Sequence, residues 1–441
     1  MRELRAHGAS GPRFGVLLRC RLPRLRLPHG ALIASASLRA PGFRSIAVTF
    51  VTLALTYGVW YSYSVFLVAL LREFGWSRSV ISGAFSLFAF VHGVSGMWLG
   101  RLADRRGPRR IVLAGGLILA AALPLNGAIE TPWQLYATFG LLTGVGVAAA
   151  GWVPAVVLVQ RWYPKRVGFA LGATSAGIGV GITLVVPFSQ LVIELAGWRW
   201  AFRVLGALMI VWVVPATLWL LRDPPPAAAP AHAVTAAGPS ITRVDITLAE
   251  AVRLPRFWLL GCAQVLGNMA SQMLFVHQAA YLVDHGIAAI VAASVVSVVG
   301  LASIAGKTGG GWLSDTLGRE ITYTMGMATT LLSIGVLGLI ALAPSAALAY
   351  LYAVLIGLGY AVTAPLMPAV ISDLFRGRHF GAIFGTLHVA NALGGSIGPW
   401  VGGRIFDVTG SYRAAFVLGV ATATASAGLL WIVAPRRARS R

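Results

Sequence analysis

Long apolar runs, broken by short polar or basic clusters, recur along nearly the whole chain. Twelve of them lie near 45–71, 79–99, 110–130, 133–160, 167–194, 200–221, 256–282, 287–308, 321–343, 346–371, 380–403 and 412–434. A run of roughly 20 apolar residues, coiled at about 1.5 Å per residue, spans a hydrocarbon core of about 30 Å. In lipid such a run has to be helical, because only a helix satisfies its own backbone groups. The pattern therefore predicts an all-α polytopic membrane protein with twelve transmembrane helices.

Composition agrees. Of the 441 residues, 57% are hydrophobic and 11% charged, where a soluble domain carries roughly 25% charged; mean hydropathy is +0.79. The net charge of +22 raises nucleic acid as a partner, but its placement answers otherwise. With the first turn placed outside, 29 of the 35 basic residues fall on one side of the predicted membrane. That bias is the positive-inside signal and predicts both termini cytoplasmic, in the plasma (inner) membrane. No soluble domain presents a basic face interleaved with aromatics, so no nucleic-acid partner is expected. Cys20 and Cys262 give no basis for a structural disulfide.

Two segments stand apart. Residues 1–44 form an Arg-rich arm, expected to be cytoplasmic and unstructured. Residues 223–254 open on a Pro/Ala-rich stretch and read as a linker between bundles at 45–222 and 255–435, with a basic tail at 436–441.

The two halves repeat each other. GRLADRRG carries Gly100, Asp104 and Gly107, and GWLSDTLG carries Gly311, Asp315 and Gly318 at an offset of 211. Gly168 and Gly172 match Gly381 and Gly385 at 213, and Arg199 with the following AF matches Arg413 at 214. Three matches at nearly constant offset imply a duplicated six-helix unit, the architecture of carriers that expose a central site to each side in turn.

Gly100–Gly107 resembles the signature loop of the major facilitator superfamily, and residues 311–319 resemble its echo. The resemblance covers about residues 45–435. It implies two pseudo-symmetric bundles and a conformational gate at these loops: Gly100, Asp104, Arg105, Gly107 and Arg109 in the first, and Gly311, Asp315, Gly318 and Arg319 in the second. Asp104 is expected to meet the start of span 11 at His379–Gly381, and Asp315 the start of span 5. YGVWYSYSVFLVALLREFGWSRSVISGAFSLFA (57–89), RWYPKRVGFALG (161–172), DLFRGRHFGAIFG (373–385) and GGSIGPWVGGRIFDVTGSY (394–412) are similar to the monocarboxylate-porter and oxalate/formate branches. Those branches place cations in spans 1, 8 or 11. Here span 1 has no Lys, and span 8 carries no charge before Lys307. That departure argues against a dicarboxylate such as oxalate, since a buried anion needs a partner.

No carboxylate lies mid-span, which leaves His388 and His92 as the candidates for proton coupling. At 100° per residue, Gln264, Asn268, Ser271, Gln272, Phe275 and Gln278 share one face of span 7. Tyr57 and Tyr61 in span 1, Tyr360 in span 10, and His388 with Asn391 in span 11 complete the candidate substrate pathway. The same side chains also suit interhelical hydrogen bonding, and the pattern alone does not separate the two roles.

The functional expectation is a secondary carrier of a small organic solute of the monocarboxylate type, with protons as candidate co-substrate and the lipid bilayer around a monomer. An exporter of amphipathic, drug-like compounds on the same fold is the alternative. Such exporters carry a GPxxGG-type run in span 5; here it is Gly398-Pro399-x-x-Gly402-Gly403 in span 11, which favours uptake. No phosphate-binding loop, metal spacing or catalytic grouping is present in the sequence, so neither enzyme activity nor a cofactor is expected.

Overall fold

A computed structural model describes residues 41–162, 167–223, 246–375 and 380–433. The basic arm, most of the linker, the loop stretches 163–166 and 376–379, and the basic tail lie outside the described residues.

The described chain is helical, with no strand among its residues. Twelve membrane-length helices follow in order. In the first half they are α1 (Pro41–Phe74), α2 (Arg78–Arg106), α3 (Pro108–Asn126), the interrupted α4 (132–162), α5 (Val167–Ala196) and α6 (Trp198–Pro215). In the second they are α7 (Pro255–Asp284), α8 (Ala289–Thr316), α9 (Arg319–Leu342), α10 (Ala346–Leu374), α11 (Phe380–Thr409) and α12 (Arg413–Val433). A single turn, Leu248–Ala251, precedes α7 and is closed by a capping box between Thr247 and Glu250.

Ten of these helices are long and apolar enough to cross a membrane. α10 is apolar along its 29 residues, and its stretch Ala346–Ala361 alone is an unbroken apolar helix. α11 is diluted by glycines, His388 and Asn391, as suits a helix that meets other helices rather than lipid.

Two helices depart from regular winding. α4 runs through Pro132–Leu135, a π-wound stretch Tyr136–Thr143, then Gly144–Ala150, and resumes at Trp152–Trp162 after a break at Gly151. In the π stretch, Thr143 Oγ1 donates to the Thr138 carbonyl five residues back and accepts from Asn126 Nδ2. α6 passes through Pro215 into a π turn, Ala216–Leu220. There Arg109 donates to the Thr217 and Leu218 carbonyls, filling part of the backbone gap that follows a proline.

The first six helices pack into one bundle and the last six into a second. The bundles meet along α2 against α11, α5 against α8, and α1 against α7. The C-terminal ends of α2, α4, α8 and α10 and the starts of α3, α5, α9 and α11 share one face, here called the basic face after the basic clusters in the sequence there; the opposite helix ends form the far face.

α2 and α11 run antiparallel, and their contact is tight from the far face to mid-height. A Cβ on Gly403 would lie 2.8 Å from the Arg78 backbone, and one on Gly93 would overlap Ala392. Two turns further toward the basic face the helices have parted: a Cβ on Gly385 would meet nothing within 4 Å, and one on Gly100 meets only Val153 of its own bundle. α5 and α8 behave alike. Thr183 Oγ1 donates to the Ser297 carbonyl at 3.2 Å, and Gly179 sits against Ile304, whereas Gly311 faces open space. The interface is closed toward the far face and open toward the basic face.

Candidate functional site

At the closed end of this opening lies a layer of aromatic rings contributed by both bundles. The Tyr57 and Trp60 rings stack at 5.5 Å, and Trp60 meets His92 edge-on at 4.6 Å. Tyr61 reaches across to Phe275 of α7 at 5.4 Å, and Phe275 meets Tyr360 of α10 at 4.6 Å. The break at Gly151 brings the Trp152 backbone to the Tyr57 hydroxyl.

The layer holds polar atoms without partners. Trp60 is 9% exposed, and its Nε1 has no hydrogen-bond acceptor; His92 Nε2 is equally unpartnered, as are Gln272 Oε1 and, further toward the basic face on α7, Gln264 Nε2. The Tyr61 and Tyr360 hydroxyls face each other, and that of Tyr360 makes no hydrogen bond of good geometry. A buried polar atom left unpaired costs about 1–3 kcal/mol. A cluster of them where two bundles meet is what a small polar ligand would satisfy.

On the basic-face side of this layer, His388 is exposed to the opening, stacks on Phe384, and lies within electrostatic reach of His92. Lys307, half-buried, is seven residues from Gly300, whose Cβ position touches Ile182 of α5. Seven residues are close to two helical turns, so Lys307 sits on the face of α8 turned to the first bundle. It makes no ion pair among the described residues. The sequence pattern counted it only as a topological charge; its spacing from Ser297, Gly300 and Ile304 was the signal for more.

The predicted pathway is thus partly assembled. Tyr57, Tyr61 and Tyr360 come together in the ring layer, with His92 against Trp60 and His388 within reach of His92. Gln272 lies against Gly395 of α11, and Gln264 sits about three helical turns from Phe275 toward the basic face. Asn268 is drawn into structure: its Nδ2 donates to the Asn391 carbonyl at 2.6 Å, tying α7 to α11 within one bundle. Gln278 turns away from the opening and accepts from Tyr352 of α10 at 3.1 Å, and Ser271 bonds its own helix. Of the stripe on α7, Asn268, Ser271 and Gln278 are therefore engaged in hydrogen bonds to helices, while Gln264 and Gln272 keep unpaired atoms.

The gate loops resolve in part. Gly107 and Gly318 adopt positive φ, 87° and 105°, the conformation that needs glycine between two helices. Arg109 and Arg319 have partners within their own bundles. The Arg109 amide donates to Asp223, while Arg319 pairs with Asp373 at 3.1 Å and bonds Ser314. The side chains of Asp104, Arg105 and Asp315, and the expected contact at His379–Gly381, lie outside the described residues.

Twin bundles around an interface open to one side, with unpaired polar atoms at its closed end, define a membrane transporter rather than an enzyme. The chain belongs to the Major Facilitator Superfamily, whose sequence profile matches residues 49–399 and 284–441. Among curated relatives, it is 26% identical over 393 residues to monocarboxylate transporter 13 of Rattus norvegicus, covering 88% of each chain. It is 27% identical over 388 residues to the oxalate:formate antiporter of Oxalobacter formigenes, covering 87% of this chain and 89% of that one. Among solved structures, a bacterial homolog of the human lysosomal transporter Spinster, inward-facing and unoccupied, superposes with a TM-score of 0.62. That pair shares 19% identity over 89% of this chain and 95% of the other, and shows the fold alone.

Proposed function

We propose that this transporter carries a small monocarboxylate by alternating access, with its basic face and both termini cytoplasmic, as a monomer of the plasma (inner) membrane. The observation that carries the reading is the group of unpaired polar atoms on Trp60, His92, Gln272 and Tyr360, with Lys307 on the same interface. A carboxylate is expensive at mid-membrane unless a cation meets it. Lys307, two turns to the basic-face side of Gly300, is a cation that α8 offers toward the first bundle, and one cation matches one negative charge. The indole N–H and phenol O–H supply donors, and Gln272 supplies an acceptor for a hydroxyl or keto-acid substituent. The names of the relatives point to the same chemistry.

His388 is the proposed proton carrier. It is exposed to the opening and near enough to His92 for the two to influence each other. Protonated, it would balance a second negative charge or accompany the substrate as a symported proton.

The test is uptake of labelled formate, lactate and oxalate into proteoliposomes, with and without a proton gradient. Lactate or formate should accumulate, oxalate should not, and Lys307→Gln should cut the rate at least tenfold. His388→Ala should abolish gradient-driven accumulation while leaving exchange. No carboxylate uptake in either direction would overturn the reading.

A further inference from the structure

The charged groups on the far face do not follow the repeat. At the offsets that relate the halves, Asp284 corresponds to Glu73, Asp407 to Glu194, and Tyr412 and Arg413 to Trp198 and Arg199. In the first bundle these residues serve their own bundle: Glu73 of α1 pairs with Arg199 of α6 at 2.6 Å, and Glu194 accepts from Gln190 one turn back. Arg78, at the start of α2, corresponds to Ala289 at the start of α8. With Arg78 present on α2, the second set is engaged across the interface.

Arg78 Nη2 pairs with Asp284 at 2.6 Å, and Nη1 donates to the Tyr412 hydroxyl at 2.8 Å. Its guanidinium lies 3.9 Å above the Phe406 ring. Asp407 accepts both the Arg78 and Ser79 amides at 2.8 Å, closing the N-terminus of α2 with a carboxylate from the other bundle. Tyr412 is braced in turn by His277. With Nε2–H donating to the Pro399 carbonyl at 2.8 Å, Nδ1 is the acceptor for the Tyr412 hydroxyl at 3.0 Å. The Tyr412 oxygen then keeps its lone pairs for Arg78. The His277 and Tyr412 bonds lie within the second bundle, whereas the Arg78 and Ser79 contacts to Asp284, Asp407 and Tyr412 exist only while the far face is shut.

We infer that Arg78, Asp284, Asp407 and Tyr412 form a one-sided latch that holds the far face closed, with His277 positioning Tyr412. Outward opening has to break this set on the α2–α11 side, while the α5–α8 side has no arginine at the corresponding position. The latch sets the resting balance between the two faces. It goes beyond the carrier reading because it acts whatever the substrate is.

The experiment uses full-length protein in nanodiscs, with Cys20 and Cys262 replaced by Ser and spin labels at Thr131 and Ala343, exposed far-face turns of opposite bundles. The parent should show one short distance. Arg78→Gln, and separately Asp407→Asn, should add a longer component and raise the open fraction about tenfold, the effect of losing one charge-assisted contact. Tyr412→Phe removes one hydroxyl and keeps the ring, so it tests the network without a folding risk; it should shift the same way by a smaller factor. Unchanged distances in Tyr412→Phe and in a monodisperse Arg78→Gln would overturn the latch. The distances need no substrate, so failed transport with shifted distances would strike the carrier reading alone.

Discussion

At the scale of single residues, two polar side chains of similar kind have opposite fates, and the difference is measurable. Trp60 Nε1 is buried without a protein partner, while Gln278 accepts from Tyr352. Trp60→Phe keeps the ring and should leave thermal stability unchanged while weakening substrate binding about fivefold, as loss of one ligand hydrogen bond would. Gln278→Leu should do the reverse, lowering stability by about 1 kcal/mol with binding intact. Paired denaturation and binding titrations separate them. Asp407, beyond the apolar part of α11, offers a pH test. Burial alone would raise its pKa, but the Ser79 and Arg78 groups hydrogen-bonded to it hold it below the ordinary carboxylate value. A depressed pKa stabilises the folded contact above that ordinary value, and the contribution fades as pH falls through the lowered one. Far-face distances should therefore lengthen below pH ~4 in the parent, and Asp407→Asn should be long and insensitive across the same range.

Among the helices, irregular winding sits where a side chain has a task. The break at Gly151 brings the Trp152 backbone to Tyr57, and the π turn after Pro215 is completed by Arg109. Arg109→Ala should cost about 1–3 kcal/mol by leaving two carbonyls short of a partner, read as a lower melting midpoint with substrate affinity unchanged. A changed transport rate at unchanged stability would instead support the expected gate role of Arg109. The Gly398–Gly403 run is explained by packing: Gly398 admits the Met269 carbonyl of α7, and Gly403 admits α2.

For the molecule as a whole, the decisive feature is that the bundles touch at one end only. Gly93 abuts Ala392 at the level where the closed contact ends. Gly93→Leu should wedge α2 from α11 and raise far-face access of an impermeant thiol reagent to a cysteine at Tyr61 several-fold; unchanged access would show that the contact does not hold the seal. Labelling should also place turns 100–110 and 311–319 on the same side of the membrane. Opposite sides would break the repeat.

The linear pattern by itself determined the helices and their duplication, because lipid demands long apolar helical runs and three motif matches at nearly one offset need no coordinates. It also brought Tyr57, Tyr61, Tyr360 and His388 forward, since polar and aromatic groups in apolar runs are conspicuous. Pairing across the bundles was decided only by the tertiary structure. Whether Gln272 or Gln278 is free, whether Lys307 faces a neighbour, and which carboxylate meets Arg78 depend on contacts between residues hundreds of positions apart. Asp284 and Glu73 occupy matching places in the repeat, yet one binds across the interface and the other within its bundle. Helical period carries no information about the partner helix, so only the packed fold distinguishes them.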